Sequence, residues 1–232
     1  MYAVAHVSGA LAVKKRFPTA PLFGLMVAVQ GSELLWMLLS YLGIEHQMVD
    51  RFGVMHLDFL AYSHSVASGI ALGVLGWAIF ALYLDRPKLG LAFGLALASH
   101  VALDIVQHEP NIQLAPGVYG PLLGLGLARV PALDFLVETS MSVACWYYFG
   151  GSKKLLAALI ALNLTNLPLM FAPAGSAYPL AANHLILPSV ILAQTLMAWA
   201  LVYAFGRKRA NQIGEQTEAS TGRHDLSVAE AI

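Results

Sequence analysis

Residues Leu89–Gln107 read LGLAFGLALASHVALDIVQ, and the reading of the whole chain turns on this stretch. It is apolar and uncharged as far as Asp104. At about 20 residues it is long enough to cross a bilayer as a helix. His100 and Asp104, with His108 just beyond, stand at i, i+4 and i+8. On a helix they form one polar stripe along an oily rod. Imidazole and carboxylate are ligands for zinc, manganese or iron, and i, i+4 spacing lets two of them reach one ion. A helix end fraying into water would carry the same stripe, so the spacing alone leaves both readings open. Ionisable groups inside an apolar span are nevertheless rare and concentrate at functional sites.

Composition agrees with a membrane setting. Of 232 residues, 58% are hydrophobic and only 11% charged, against about 25% charged in soluble domains. Mean hydropathy is +0.68. Thirteen basic residues balance thirteen acidic ones, which gives no argument for a nucleic-acid partner. Cys145 is the one cysteine, so no intramolecular disulfide forms, and it reads as a small buried apolar side chain. The basic cluster Lys14-Lys15-Arg16 follows the first apolar stretch instead of preceding it, unlike a cleaved signal peptide.

Run length predicts an all-α, polytopic bundle of about six transmembrane helices. The expected spans are Thr19–Gly43, Ala61–Leu84, Leu89–Gln107, Val130–Phe149, Leu155–Phe171 and His184–Phe205. Charged or Pro/Gly-rich breaks separate them, among them Asp85-Arg86-Pro87-Lys88 and Glu109–Arg129. On that topology eleven of the thirteen Lys and Arg fall on one side, with Arg51 and Arg129 on the other. The basic side is the cytoplasmic one, so both termini are expected there, as in a bacterial inner-membrane protein. Residues 1–209 form the membrane domain. Its first 18 residues are too short to cross and are expected to lie in the interface or re-enter the bundle. Residues 210–232, polar and without periodicity, are expected to be a flexible cytoplasmic tail.

Polar groups from several spans then fall at similar depth. Glu33 sits in the first span, His64 opens the second within Tyr62-Ser-His-Ser65, and Asp134 and Glu138 are i, i+4 in the fourth. Three membrane carboxylates, Glu33, Asp104 and Glu138, would cost on the order of 10 kcal/mol if ionised and unpaired. The spans offer no Lys or Arg to pair with them. Protonation, a water-filled cavity or a bound cation can each offset that cost, and a divalent cation uses every residue type present, His64 and His100 included. Interhelical hydrogen bonds with protonated acids are the structural alternative. A Ser–His nucleophile at Ser63, His64 and Ser65 is disfavoured, because adjacent helical residues do not face each other. Gly124-Leu-Gly126 lacks the preceding strand of a phosphate loop.

From the N-terminus to about Phe149 the chain resembles the membrane-bound metal-dependent hydrolase-like family, of the LexA-binding, inner-membrane-associated type. The motifs that carry the resemblance are His6-Val-Ser-Gly9, Gly31-Ser-Glu33 followed by Leu-Leu-Trp36, Ser63-His64-Ser65, His100 with Asp104, His108-Glu-Pro-Asn111, Gly124–Leu127 and Glu138. Phe59 and Leu60 stand where many members have a His-Arg pair, and Glu33 replaces a motif that is often two Asp.

The resemblance implies kinship with zinc-dependent phospholipase C, and a hydrolase of phosphoester or lipid-linked substrates. It implies a metal site of His64, His100, Asp104 and Glu33, with His6 as a further ligand. His108, Asp58 and Glu138 are the acid/base candidates, with His108 or Glu33 as general base. The cofactor expected is a divalent ion, zinc first, with manganese or iron as alternatives. The partner expected is the lipid bilayer, with a lipid or lipid-linked molecule as substrate. Two other readings use the same residues: a cation or proton transporter with an intramembrane relay, and a non-catalytic scaffold tied by a structural ion.

Overall fold

Helices make up nearly all the regular structure of the computed structural model, which describes residues 3–46, 48–49, 55–56, 60–118, 120–171, 183 and 185–229. In chain order they are α1 (Ala3–Arg16), α2 (Leu22–Val29), α3 (Gly31–Tyr41), α4 (Ala61–His64), α5 (Val66–Ala78), α6 (Pro87–Gln107), α7 (Pro131–Phe149), α8 (Lys153–Leu164), α9 (Leu167–Met170) and α10 (Ile186–Ala229). A π-helical turn, Ile79–Tyr83, prolongs α5. Two short strands, Met48–Val49 and Met55–His56, pair antiparallel in the segment between α3 and α4.

Among the described residues, three helical segments are long and apolar enough to cross a membrane: Val66–Tyr83, Pro87–Gln107 and Ile186–Thr217. A fourth span exists if α2 and α3, bent by 57° at Gln30, count as one. The six spans expected from run length are not supported, for two reasons. Helix α7 is 19 residues long but carries Asp134, Glu138, Ser142 and other polar groups, and falls short in hydropathy. Helix α8 stops after 12 residues, about 18 Å of rise, before Thr165, Asn166 and the Pro168 of α9.

Glycines let α5 and α6 pack backbone to backbone. A Cβ on Gly73 would lie 3.0 Å from Ala98 Cβ and 3.1 Å from the Gly94 carbonyl, and one on Gly90 would lie 2.7 Å from the Trp77 carbonyl. Such small-residue faces let backbones approach where lipid supplies no hydrophobic drive for association. The α5–α6 hairpin therefore has its tight turn, Asp85–Arg86, at one end and places His64 and Asp104 at the other.

Helix α1 packs inside the bundle. Val4, Val7, Ala10 and Leu11 are buried with Leu25, Met26, Leu155, Leu159, Ala198 and Val202 in the main apolar core. Its C-terminal turn is closed by Lys14, whose ammonium donates to the carbonyls of Pro18 and, at 3.0 Å, Ala20. Where the sequence suggests a flexible tail from residue 210, α10 continues as a helix to Ala229. Ala210 and Ile213, one turn apart, are buried in the core that α1 shares, which gives that part of the helix an apolar contact to hold it.

Candidate metal centre

Two interruptions of helical structure meet one unbroken helix at one place. Helix α6 carries His100 and Asp104 one turn apart, both essentially inaccessible to solvent. The break at Gln30 ends α2 and restarts the chain as α3, with Glu33 in its first turn. His64 is the last residue of α4, after which Ser65 turns extended and caps α5 by accepting from Ser68 N. Breaks of this kind are tolerated at membrane depth where they are enclosed by protein.

The side chains converge. Glu33 Oε2 lies 3.4 Å from His64 Nε2 and 3.5 Å from His100 Nε2. Asp104 Oδ2 lies 3.6 Å from His64 Nε2 and 3.2 Å from His100 Nε2. His6, delivered by α1, places Nε2 3.2 Å from the other Asp104 oxygen. Its ring stacks on His100 with centroids 3.8 Å apart and planes 9° apart. Among the described residues the groups with metal-ligand spacing are His6–His100–Asp104 and Glu33–His64–His100, which share His100.

The residues fit a cation on two counts. His100 Nδ1 is 2.8 Å from the Val29 carbonyl oxygen. That oxygen can only accept, so Nδ1 holds a proton, and Nε2 is the atom that faces the two carboxylates. His100 Nε2 is buried without a well-formed hydrogen bond, so a ring proton shared with the acids or a cation between them has to offset its burial. The spacing agrees too. Tetrahedral zinc with ligands at about 2.0–2.1 Å has ligand–ligand edges of about 3.3–3.4 Å, and the four carboxylate–imidazole distances, 3.2 to 3.6 Å, lie near that value. Two neutral imidazoles and two carboxylates also balance a divalent charge.

The mouth of the site is a small cavity lined by Leu60, Ala61, His64, His108, Asn111, Ile112 and Gln113. His108 is the C-cap of α6, and its ring centroid is 6.3 Å from that of His64. Burial pushes its imidazole down to about 4, so it is neutral at physiological pH. The Gly124–Gly126 run fixes that corner. Leu125 N and Gly126 N donate to the carbonyls of Ile105 and His108 at 2.8 Å each. Gly124, at φ +149°, has no room for a Cβ, which would fall 2.1 Å from the Glu109 carbonyl. The carbonyls of Gln113 and Leu114 accept from Val66 N and Ala67 N, lacing the same loop to the start of α5.

Of the residues singled out from sequence, Glu33, His64, His100, Asp104 and His6 are together and His108 borders their cavity. Glu138 is buried on α7 with Asp134 and Ser142 and belongs to neither ligand group. Asp134 accepts from Gln107 Nε2 at 3.1 Å. Asp58 lies outside the described residues.

Sequence reasoning missed Glu45 and misjudged Ser63. Ser63 Oγ is 2.7 Å from His64 Nδ1 and 2.6 Å from Glu45 Oε2. The neighbours do meet, because α4 is a four-residue turn and Ser63 projects back over it. Ser63 is fully buried, which suits orientation and not attack on a substrate. Only a carboxylate upstream of the Ser-His-Ser motif hinted at this, and its loop position concealed it. Compared with known protein families, curated proteins and solved structures, the chain matches none of them.

Proposed function

We propose that this is an integral membrane, zinc-dependent hydrolase acting on a phosphoester or lipid-linked substrate, seated in a bacterial inner membrane with its basic end cytoplasmic. The observation that carries the proposal is the convergence of His64 Nε2 and His100 Nε2 on Glu33 Oε2 and Asp104 Oδ2, each imidazole within 3.6 Å of both carboxylates. The reaction class rests on the resemblance of the His-Val-Ser, Ser-His-Ser and His-x-x-x-Asp motifs to the membrane-bound metal-dependent hydrolase-like family. Manganese and iron are the other ions that this donor set accepts.

When bound, a divalent ion supplies Lewis acidity to an ester oxygen and acidifies water toward neutral pH. The chain's own groups do the rest. Glu33, His64, His100 and Asp104 hold the site, and His6 steadies the second Asp104 oxygen. His108, neutral at the cavity wall, takes the proton that the attacking water gives up. The enclosing apolar helices exclude bulk water and leave the ester end of a lipid as the part that reaches the cavity.

Elemental analysis of detergent-purified protein beside His100→Ala, with a phosphodiester turnover assay, tests this. About one zinc per chain, lost together with turnover in the variant, is the expected result. Metal content unchanged by the substitution rejects the assignment.

A second reading has its own support. Glu33 lies beside a 57° helix break, a feature of ion sites in transporters. Cation flux in proteoliposomes that depends on Glu33, without turnover, selects that reading.

A further inference from the structure

Glu45 supplies no ligand atom to the site, yet it is fully buried and wholly engaged. It follows α3 in a turn whose Gly43 has φ +70°. Its Oε1 accepts from Tyr62 N at 2.8 Å and Ser63 N at 3.0 Å, and its Oε2 accepts from Ser63 Oγ at 2.6 Å. A carboxylate is an acceptor only, and a serine hydroxyl has one hydrogen to give. Ser63 gives it to Glu45, since its other acceptor, the Leu60 carbonyl, is 3.5 Å away. Toward His64 Nδ1, at 2.7 Å, Ser63 is then left as an acceptor, and the imidazole must carry its proton on Nδ1.

We propose that Glu45 is a positioning residue of the metal centre, acting through Ser63 to hold His64 as the tautomer whose Nε2 lone pair faces Glu33 and Asp104. The proposal rests on the reading of His64 as a ligand. A neutral His64 without this relay would protonate Nε2 and donate to the nearby carboxylates, closing the site with a hydrogen bond. With Nδ1–H claimed by Ser63, Nε2 of each histidine faces two carboxylates, and positive charge between them, a metal ion or a second ring proton, is what reconciles them. His100 is set the same way by a backbone carbonyl, so the two histidines reach one state by different means. Only the relay to His64 is made of side chains. Outer partners of this kind commonly tune metal affinity.

The relay makes a specific demand on substitutions. In Glu45→Gln the amide oxygen can keep the two backbone N–H groups, while its NH2 now points at Ser63 Oγ. Ser63 must accept there, so its hydrogen turns to His64 Nδ1 and the ring takes the Nε2–H form. Zinc affinity, measured by chelator competition, should fall about 10–100-fold. Ser63→Ala cuts the link and leaves both tautomers open, a smaller loss. Glu45→Gln in that background should cost nothing further, so the double variant binds zinc better than Glu45→Gln alone. Wild-type affinity in Glu45→Gln overturns the proposal, and so does an equal loss with and without Ser63.

Nitrogen-15 NMR of the histidines separates this from the metal reading itself. In metal-free protein His64 should be Nδ1-protonated, changing to Nε2-protonated in Glu45→Gln. That change, found in a protein that binds no zinc, keeps the relay and rejects the metal site. No change rejects the relay whatever the metal content. Should Glu45→Gln not fold, Ser63→Ala decides: a tautomer mixture is expected, and a ring still wholly Nδ1-protonated overturns the proposal.

Discussion

The imidazole Nδ1 of His100 lies 2.8 Å from the carbonyl oxygen of Val29, the last residue of α2. The break at Gln30 presents an acceptor to His100 and places Glu33 beside the same ring. Loss of His100 therefore removes a ligand and strands a backbone acceptor. In His100→Ala a chelator should leave the melting temperature unchanged, whereas it should lower that of the wild type. The expected difference is about 2.7 kcal/mol at zinc a hundredfold above its dissociation constant. Equal chelator shifts in the two proteins count against a site at His100.

Asp104 divides its oxygens, one facing His64 and His100 and the other facing His6. Asp104→Asn should lose zinc altogether, because it removes charge at the centre. His6→Gln should weaken binding about 10–100-fold, the effect expected of a group that holds a ligand in place. Titration of both variants with zinc under chelator competition makes the comparison. Complete loss in His6→Gln would make His6 a ligand in its own right.

Sequence spacing revealed the polar stripe of α6, because i, i+4 periodicity survives any packing arrangement. It also brought out Glu33 and His64, since an ionisable residue in an oily run stands out wherever the run ends up. Span counting was less secure for α7. Its Asp134, Glu138 and Ser142 face the interior, so apolar run length measures its protein-covered face as well as any lipid-facing one. Glu45 was invisible for a different reason. It sits in a loop 18 residues from Ser63, where no periodicity applies, and only the tertiary fold brings the two together.

The His108 imidazole is pushed down to about 4 by burial, against about 6.5 in an unfolded chain. Between those values the unfolded state binds the extra proton, so stability rises with pH across about 4 to 6.5 and is flat above. Acidification through that window should destabilise the wild type more than His108→Gln, with both metal-free. Chemical unfolding at pH 7 and pH 5 measures the contrast, and parallel losses would mean that His108 is not the titrating group. Activity should also fall in His108→Gln at neutral pH, where wild-type His108 is the neutral base.

Two glycine substitutions should have opposite signs. Gly73→Leu places side-chain atoms where even a Cβ is 3.0 Å from Ala98 Cβ and 3.1 Å from the Gly94 carbonyl. Leucine is a good helix former and suits lipid, so any loss must come from overpacking, about 1–3 kcal/mol. Gly9 lies within α1 with nothing inside 4 Å of the position of a Cβ. Gly9→Ala should gain about 0.5–1 kcal/mol through helix propensity. Unfolding in mixed micelles gives both values.

Topology can be read by cysteine labelling in a Cys145→Ser background. Asp85→Cys lies in the α5–α6 turn and Gly117→Cys beyond the far end of α6. Helix α6 is 21 residues long, about 31 Å, which matches the hydrocarbon core. The two cysteines should therefore react with a membrane-impermeant reagent from opposite faces, Asp85→Cys from the cytoplasmic one. Lys153→Cys extends the test to α7. The end of α7 at Gly150 lies against the Arg209 guanidinium, 3.1 Å from where a Gly150 Cβ would be, so it shares an end of the bundle with the basic stretch of α10. Labelling of Lys153→Cys from the same face as Asp85→Cys would make α7 a crossing helix despite its polarity. The physical basis is the neighbour it packs on: α1 meets α7 through Ser8 Oγ and Ser142 Oγ at 3.1 Å, so the polar face is covered by protein. Labelling from the Gly117 side would mean that α7 returns to the face it started from, and that the charge asymmetry had misplaced Lys153 and Lys154.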